Sequence, residues 1–206
     1  MTPSDPIRLV IVDDQAMLRG ALAALLELED DLTVVGVAGD GDEAVRVVSD
    51  AAPDVCLMDI QMPGMDGIAA TQAVRAASPA TRVLIVTTFA RPGYLRSALD
   101  AGASGFVVKD APAEQLADAV RRVHAGLRVV DPVLAEASLF DGANPLSERE
   151  RQVLRLAADG RSAAAIAAEV FLSAGTVRNN LSAAIGKVGA ANRAQAVRIA
   201  QDKGWI

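Results

Sequence analysis

Residues 7–14 read Ile-Arg-Leu-Val-Ile-Val-Asp-Asp, a mostly apolar run that ends in two carboxylates. The run is too short for a core helix and is rich in β-branched residues, as buried strands are. Further short apolar runs follow within the first 125 residues, and an amphipathic stretch separates each run from the next. This alternation predicts an α/β fold, a doubly wound parallel sheet of (βα)5 order.

These runs and stretches give the bounds of the elements. The predicted strands are Ile7–Val12, Thr33–Ala38, Val55–Met58, Val83–Thr87 and Gly105–Val108. The predicted helices are Gln15–Leu28, Asp42–Asp50, Gly67–Ala77, Pro92–Ala101 and Pro112–His124. Residues 1–125 are therefore predicted to form the first domain.

The chain changes character after residue 125. Glycine and proline residues break the periodicity around a short apolar stretch, Val133–Phe140, so residues 126–143 are predicted to be a linker with one short helix. Residues 144–206 show no strand pattern and divide into four helical segments, which predicts a second, all-α domain of four helices. Ser147-Glu-Arg-Glu150 has the spacing of a capping box and marks the start of its first helix.

The two halves carry opposite charge. Residues 1–125 contain 10 Lys and Arg against 18 Asp and Glu, a formal charge of −8, whereas residues 144–206 contain 9 against 5, a charge of +4. A basic module can approach the phosphates of a nucleic acid, and an acidic module repels them unless it binds a cation. The charge distribution therefore favours nucleic-acid contact by the second domain.

The composition excludes several classes of protein. No window approaches the roughly 18 uninterrupted apolar residues of a membrane span, and Met1–Pro6 lacks the features of a signal peptide. The single cysteine, Cys56, excludes an intrachain disulfide and a multi-cysteine metal site, and its apolar surroundings predict a buried structural thiol. We expect a cytoplasmic protein that has no membrane partner.

The residues that follow the predicted strands form a chemically consistent set. In an open parallel sheet, ligands bind beyond the carboxyl ends of the strands. Asp13 and Asp14 follow the first strand and Asp59 the third, while Thr87 ends the fourth and Lys109 follows the fifth. Any one of these carboxylates by itself has an alternative interpretation as a strand-end or loop residue without further role, but the whole set predicts a site.

Three carboxylates in one crevice repel one another, and a hard divalent cation with oxygen ligands relieves that repulsion. Mg²⁺ fits such a site best. The Asp59 carboxylate would attack a phosphoryl group in line, and Lys109 would pair with a phosphoryl oxygen. Thr87 would hydrogen-bond the new group and move with its loop, so that a local bond becomes a conformational signal.

With these residues placed, the first domain resembles the receiver domain of response regulators over essentially its full length. The motifs are Val10-Ile-Val-Asp-Asp14, Met58-Asp-Ile-Gln-Met-Pro-Gly-Met-Asp-Gly67, Val86-Thr-Thr88 and Gly105-Phe-Val-Val-Lys-Asp110. The resemblance implies that a sensor histidine kinase supplies the phosphoryl group to Asp59. It also implies a set of Mg²⁺ ligands, namely Asp13, Asp14, Asp59 and the Gln61 carbonyl. Thr87 and Phe106 match the family's switch pair, the alternative for Phe106 being a plain core residue.

Residues 144–206 resemble the helix-turn-helix of NarL/FixJ (LuxR-type) regulators. The motifs are Leu146-Ser-Glu-Arg-Glu-Arg-Gln-Val-Leu154, Ala165-Ile-Ala167, Leu172-Ser-Ala-Gly-Thr-Val-Arg-Asn179 and Asn192-Arg-Ala-Gln-Ala196. A receiver joined to this module is the family's standard layout, and the similarity is to regulators of the DesR and LiaR type. The resemblance implies a transcription regulator and not an enzyme, with at most weak self-dephosphorylation.

A helix that begins after Ser173 is predicted to have one apolar and one polar face. The apolar stripe consists of Val177, Leu181, Ala184, Ile185 and Val188. The polar face presents residues able to contact phosphates or base edges in a major groove, namely Thr176, Arg178, Asn179, Ser182 and Lys187. The resemblance places Arg178, Asn179 and Ser182 at the bases, whereas a merely solvated helix face would look similar without the flanking motifs.

Two departures from the family pattern concern DNA affinity. Ala163–Ala165 stand where the family commonly has an Asn-Lys-Glu segment, which removes one phosphate contact, and Asn180 replaces a common aromatic residue or His. We therefore expect modest affinity for one half-site and binding as a homodimer, formed on phosphorylation, to a two-fold double-stranded DNA operator with half-sites about 10 base pairs apart. The family's dimer helix matches Arg193–Lys203, and Trp205 is expected to plug the core.

Two rival functions fit parts of the pattern. A phosphatase or phosphotransferase that turns over an aspartyl phosphate would need a second acid two residues after the nucleophile, where this chain has Gln61. A phosphate-independent DNA-binding protein with a vestigial receiver would lack part of the acidic pocket, and no pocket residue is missing.

Overall fold

A computed structural model of the protein describes residues 5–88, 92–110, 112–131, 135 and 144–206. The described backbone divides into two compact units, with most of the described residues up to Ala135 in the first and residues 144–206 in the second. The short linker helix predicted over Val133–Phe140 lies outside the described residues, apart from Ala135. The domain bounds 1–125, 126–143 and 144–206 stay predictions.

The first unit is a parallel sheet with helices between its strands, as predicted. Its strands are β1 (Ile7–Val12), β2 (Leu32–Ala38), β3 (Val55–Met58), β4 (Arg82–Thr87), β5 (Gly105–Val108) and β6 (Val129–Val130), arranged in the order β2-β1-β3-β4-β5-β6. Its helices are α1 (Ala16–Leu26), α2 (Gly41–Ala51), α3 (Gly67–Ala77), α4 (Pro92–Asp100) and α5 (Ala113–His124). The predicted bounds of these elements agree with the structure to within two residues.

The sixth strand is a correction to the predicted five-stranded sheet. Val129 and Val130 belong to the predicted linker, but they pair in parallel with Gly105 and Phe106 of β5. Two residues are too few to produce a periodicity signal, because the side-chain alternation of a strand shows only over four or more residues. The segment is extended where it pairs with β5.

The core of the first unit lies on both faces of the sheet because parallel strands are buried on both sides. One face packs against α1 and α5; its largest fully buried residues include Leu9, Ile11, Leu57 and Leu84. Cys56 in β3 is also fully buried, and burial raises the pKa of its thiol to about 12. The predicted burial of this thiol is therefore confirmed.

The second unit contains α6 (Glu148–Ala158), α7 (Ala163–Glu169), α8 (Ala174–Lys187) and α9 (Arg193–Asp202). Each helix begins after a polar residue whose side chain accepts a hydrogen bond from the third residue of the helix, namely Ser147, Ser162, Ser173 and Asn192. The capping box of Ser147 and Glu150 is present in both directions, as predicted. These helices surround a separate apolar core that includes Leu154, Ile166 and Val177.

Across the described parts of the chain, no helix is both long enough and apolar enough to cross a lipid bilayer.

Candidate functional site

The carboxyl ends of neighbouring strands bring charged side chains to one edge of the sheet. Asp13 and Asp59 directly follow β1 and β3, whose last residues, Val12 and Met58, lie opposite each other in the sheet. The Asp59 N–H donates to the Val12 carbonyl at 2.9 Å, and the Lys109 N–H donates to the Thr87 carbonyl at 2.9 Å. The register of the sheet therefore positions these side chains, because each one belongs to a residue at the end of a strand whose backbone is hydrogen-bonded to its neighbour.

Lys109 lies between two buried carboxylates. Its Nζ is 2.7 Å from Asp13 Oδ2 and 3.1 Å from Asp59 Oδ2, and the three side chains are 6%, 1% and 4% exposed. Asp14 is exposed, but one of its carboxylate oxygens lies within 4.8 Å of an oxygen of Asp13 and of Asp59. The structure thus brings together the three carboxylates and the lysine that the sequence analysis selected.

The cluster contains more negatively charged than positively charged groups. Burial raises the pKa of Asp59 above its ordinary value; Lys109 opposes this rise, and the Asp13 carboxylate adds to it. One ammonium faces three carboxylates. Because the donors are hard carboxylate oxygens at close spacing, Asp13, Asp14 and Asp59 fit a hard divalent cation.

Two residues that the sequence analysis missed hold this edge in place. Arg19 in α1 donates from Nη1 to the Asp13 carbonyl, which fixes the loop between β1 and α1. Gly67 opens α3 so close to the phosphoacceptor candidate that a Cβ would lie 1.7 Å from the Asp59 carbonyl oxygen. The motif around Asp59 includes Gly67, which was a usable signal, whereas nothing in the sequence distinguishes Arg19 from a surface arginine.

The remaining predicted pocket residues lie around this cluster. Thr87 ends β4 and is 1% exposed, while Phe106 in β5 is fully buried. Because Phe106 pairs with Ile85, two residues before Thr87, the alternation of strand side chains puts Thr87 and Phe106 on the same face of the sheet. Gln61 is exposed in the loop after β3. The assigned roles of Thr87, Phe106 and the Gln61 carbonyl stay predictions.

Helix α8 of the second unit separates apolar from polar side chains. Val177, Leu181 and Ala184 are buried against the other helices. All five predicted DNA contacts of α8 are exposed: Thr176, Arg178, Asn179, Ser182 and Lys187. The amide of Asn180, one of the departures from the family pattern, donates to the Thr176 carbonyl at 2.8 Å within the helix.

The fifth predicted DNA contact, Lys187, has a partner inside the protein. Its Nζ lies 2.7 Å from Glu150 Oε2, and the Glu150 side chain is only 7% exposed. Burial by itself would raise the pKa of Glu150, but hydrogen bonds from Lys187 and Ser147 outweigh it and hold that pKa below its ordinary value. Lys187 therefore joins the end of α8 to the start of α6, a contact the sequence analysis did not foresee.

Two further predictions concern the end of the chain. Trp205 packs against the apolar core of the second unit, as expected, and Lys203 Nζ lies 5.9 Å from the centre of its ring. Helix α9 covers Arg193–Asp202, close to the predicted dimer helix. Its role in dimerisation stays a prediction.

Each of the two units matches a known protein family. Residues 9–121 match the response regulator receiver domain, and residues 144–200 match bacterial regulatory proteins of the luxR family. The uncharacterized transcriptional regulatory protein YvfU of Bacillus subtilis is 47% identical over 200 residues, which cover 97% of this chain and 100% of YvfU. The transcriptional regulatory protein DesR of the same organism is 45% identical, with 97% of this chain and 99% of DesR covered.

The solved structures include a similar full-length regulator. The crystal structure of the response regulator ChrA, from a heme-sensing two-component system, is 35% identical and has a TM-score of 0.58, with 98% of this chain and 100% of ChrA covered. A receiver followed by a luxR-type DNA-binding unit is the architecture of a DNA-binding response regulator of a two-component system. The chain belongs to the NarL/FixJ (LuxR-type) family of response regulators, as the sequence motifs predicted, and DesR is among its relatives. This is a family of transcription regulators and not of classical enzymes.

Proposed function

We propose that Asp59 is the phosphoacceptor and that a sensor histidine kinase is the phosphoryl donor. The single observation that carries the proposal is the position of the buried Asp59 carboxylate, 3.1 Å from the Lys109 ammonium and beside two further carboxylates. In the reaction, an Asp59 carboxylate oxygen forms the new bond to phosphorus as the bond from phosphorus to the donor's imidazole nitrogen breaks. The imidazole leaves with the electron pair of that bond.

The residues around Asp59 have distinct parts in this proposal. Lys109 pairs with a phosphoryl oxygen, and the Thr87 hydroxyl hydrogen-bonds another after transfer. Asp13, Asp14, Asp59 and the Gln61 carbonyl would hold Mg²⁺, which offsets the negative charge of the phosphoryl group when it is bound. Arg19 and Gly67 keep the two carboxylate-bearing loops in register. Phe106 follows Thr87 as the second member of the switch pair.

The switch must act through conformation. A phosphoryl group adds about −1.5 to −2 charges to a half of the chain that already carries a formal charge of −8, so it does not attract DNA. Moving an equilibrium from 1:99 to 99:1 requires roughly 5.5 kcal/mol of differential stabilisation. We assign this free energy to the phosphoryl contacts together with a new homodimer interface.

The output is regulated binding to double-stranded DNA. The exposed polar side chains of α8, Arg178, Asn179 and Ser182, would read base edges, while Thr176 approaches the phosphates. Two copies on a two-fold operator would place one α8 helix in each half-site. Because Lys187 is paired with Glu150, we assign it a smaller share of the DNA contact than the sequence analysis did.

Replacement of the phosphoacceptor tests the proposal directly. Asp59→Asn removes the nucleophile but keeps the size of the side chain, so acetyl phosphate should no longer label the protein or convert it to a dimer. Intact-mass spectrometry measures the label, and light scattering measures the oligomeric state. A chelator should abolish labelling of the unaltered chain, because the three carboxylates would then lack their cation.

Asp50→Asn is the matched control, since Asp50 is exposed at the end of α2. This variant should be labelled at the rate of the unaltered chain. Dimerisation and operator binding of Asp59→Asn after acetyl phosphate treatment would contradict the proposal.

A further inference from the structure

Helices α6 to α9 each end in a residue with a left-handed backbone, and one of these residues is unusual. The residues that follow α6, α8 and α9 in this way are Gly160, Gly189 and Gly204, with φ angles of 75°, 68° and 63°. The corresponding residue after α7 is Phe171, with a φ angle of 54°. A Cβ is strained in this conformation, so glycine normally occupies it. The chain therefore has the expected glycine at three helix ends, and it has phenylalanine instead in the turn between α7 and α8.

The backbone turn at Phe171 is part of the fold, but its aromatic ring does not pack in the core. The turn is closed by backbone hydrogen bonds, from the Val170 N–H to the Ile166 carbonyl and from the Leu172 N–H to the Ala167 carbonyl, both at 3.0 Å. These bonds would form equally well around a glycine. The side chain of Phe171 is 94% exposed, which makes it the most exposed large apolar residue of the described chain. Neither the turn nor the core explains an aromatic ring at this position.

The position of Phe171 points to the partner. Phe171 lies two residues before Ser173, which caps the N-terminus of α8 by accepting the Thr176 N–H at 3.0 Å. In a helix-turn-helix protein, the N-terminal end of the recognition helix makes the base contacts. Phe171 is therefore exposed two residues before the cap of the helix whose Thr176 and Arg178 are exposed candidates for DNA contact.

The chemistry of the major groove indicates which group of the DNA the ring would contact. Besides hydrogen-bonding groups, the groove displays one apolar group, the C5-methyl of thymine, and phenylalanine is among the side chains that contact it. We propose that Phe171 is an apolar DNA contact whose ring packs on a thymine methyl at the edge of each half-site. This inference rests on DNA binding through α8. A protein partner for the ring is the competing interpretation, but the formal charge of +4 on residues 144–206 and the continuity with the exposed polar face of α8 favour DNA.

The experiment uses the full chain and a DNA sequence selected from a random pool after acetyl phosphate treatment. Each thymine of the selected sequence is replaced in turn by deoxyuridine, which removes only the methyl group. The unaltered chain should bind one substituted probe roughly fourfold more weakly, which is the effect of losing one buried carbon. Phe171→Gly removes the contact from both half-sites, so it should lose at least roughly 16-fold on the thymine probe. It should also bind the thymine and deoxyuridine probes equally. Phe171→Tyr keeps the ring and should bind like the unaltered chain.

The glycine variant also separates binding from folding. Because glycine suits the left-handed backbone, Phe171→Gly should unfold in urea at a midpoint no lower than that of the unaltered chain. Phe171→Asn also tolerates this backbone and removes the ring without adding glycine's freedom to the unfolded chain, so it should show the same loss of affinity.

Two outcomes would overturn the proposal. In the first, Phe171→Gly binds every probe as tightly as the unaltered chain does. In the second, Phe171→Gly loses the same factor on the thymine probe as on the deoxyuridine probe, so that the variant still distinguishes the two probes. Unchanged affinity together with reduced transcription by RNA polymerase in vitro would identify a protein as the partner. Failure of the underlying DNA-binding function would look different: no sequence would be enriched from the pool, and Arg178→Ala would bind DNA as well as the unaltered chain.

Discussion

At Gly67 the backbone of α3 approaches the proposed phosphoacceptor so closely that no side chain fits between them. A Cβ there would lie 1.7 Å from the Asp59 carbonyl oxygen and 2.9 Å from the Ile60 Cα, and both are backbone atoms that cannot rotate away. The same glycine donates its N–H to the Ile60 carbonyl at 2.9 Å. The position of the Asp59 carboxylate therefore depends on the absence of one methyl group eight residues away in the chain.

Gly67→Ala should damage both stability and phosphoryl uptake. Relief of the clash requires a backbone shift, for which we expect a loss of about 1–3 kcal/mol in the free energy of unfolding. The shift displaces Asp59 from Lys109, so labelling by acetyl phosphate should slow. Urea unfolding and intact-mass time courses measure the two effects.

Gly20→Ala is the matched control for the first unit. Gly20 lies within α1, and a Cβ there would meet nothing within 4 Å. The substitution should stabilise the unit by about 1 kcal/mol through helix propensity and leave labelling unchanged. Equal behaviour of the two alanine variants would show that the close approach at Gly67 has no influence on the site.

At the scale of elements, Glu150 connects two helices of the DNA-binding unit. Its carboxylate accepts the Ser147 N–H at 2.6 Å, which completes the capping box of α6, and it also accepts a bond from Lys187 Nζ at 2.7 Å. Lys187 is the last residue of α8. One buried carboxylate thus fixes the start of α6 against the end of the helix that presents the DNA contacts.

Glu150→Gln should make the stability of the second unit less sensitive to acid. The folded chain holds the pKa of Glu150 below the ordinary 4.5, so the ionised carboxylate stabilises the fold above about pH 4.5, and this contribution is lost as pH falls below that value. Gln keeps the capping geometry but loses the ion pair, which should cost about 1 kcal/mol at pH 7. The difference between the two proteins in the free energy of unfolding should shrink as the pH falls from 6 to 3.

Glu148→Gln provides the comparison for this prediction. Glu148 pairs with Arg151 on the surface and its side chain is 73% exposed, so its removal should change stability little at any pH. An acid sensitivity of Glu150→Gln as steep as that of the unaltered chain would rule out a stabilising role for the buried carboxylate.

At the scale of the whole molecule, two units of opposite charge are joined in one chain. Residues 1–125 carry −8 and residues 144–206 carry +4. We therefore expect the first unit to oppose the approach of DNA to the second through long-range repulsion. Salt screens this repulsion, because the Debye length falls from about 10 Å at 0.1 M to about 3 Å at 1 M.

Residues 144–206 expressed alone should bind non-specific DNA more tightly than the full chain at low salt. The difference should disappear as salt rises, while the affinity of both falls steeply through counterion release. Fluorescence anisotropy over a salt series measures both affinities, and circular dichroism verifies that the isolated unit is helical. Equal affinities at every salt concentration would mean that the acidic unit does not oppose DNA binding.

The sequence by itself determined the order of the elements apart from β6, the two-unit organisation and the carboxylate cluster with Lys109. These follow from short-range rules, since periodicity identifies buried strands and the ends of parallel strands meet at one edge. Only the tertiary structure decided which residues support that cluster and which predicted DNA contact in α8 pairs with another residue of its own unit. Arg19 reaches Asp13, and Lys187 turns to Glu150, because chain folding places them there. The exposure of Phe171 likewise depends on what the folded unit leaves uncovered, which no local pattern of residues specifies.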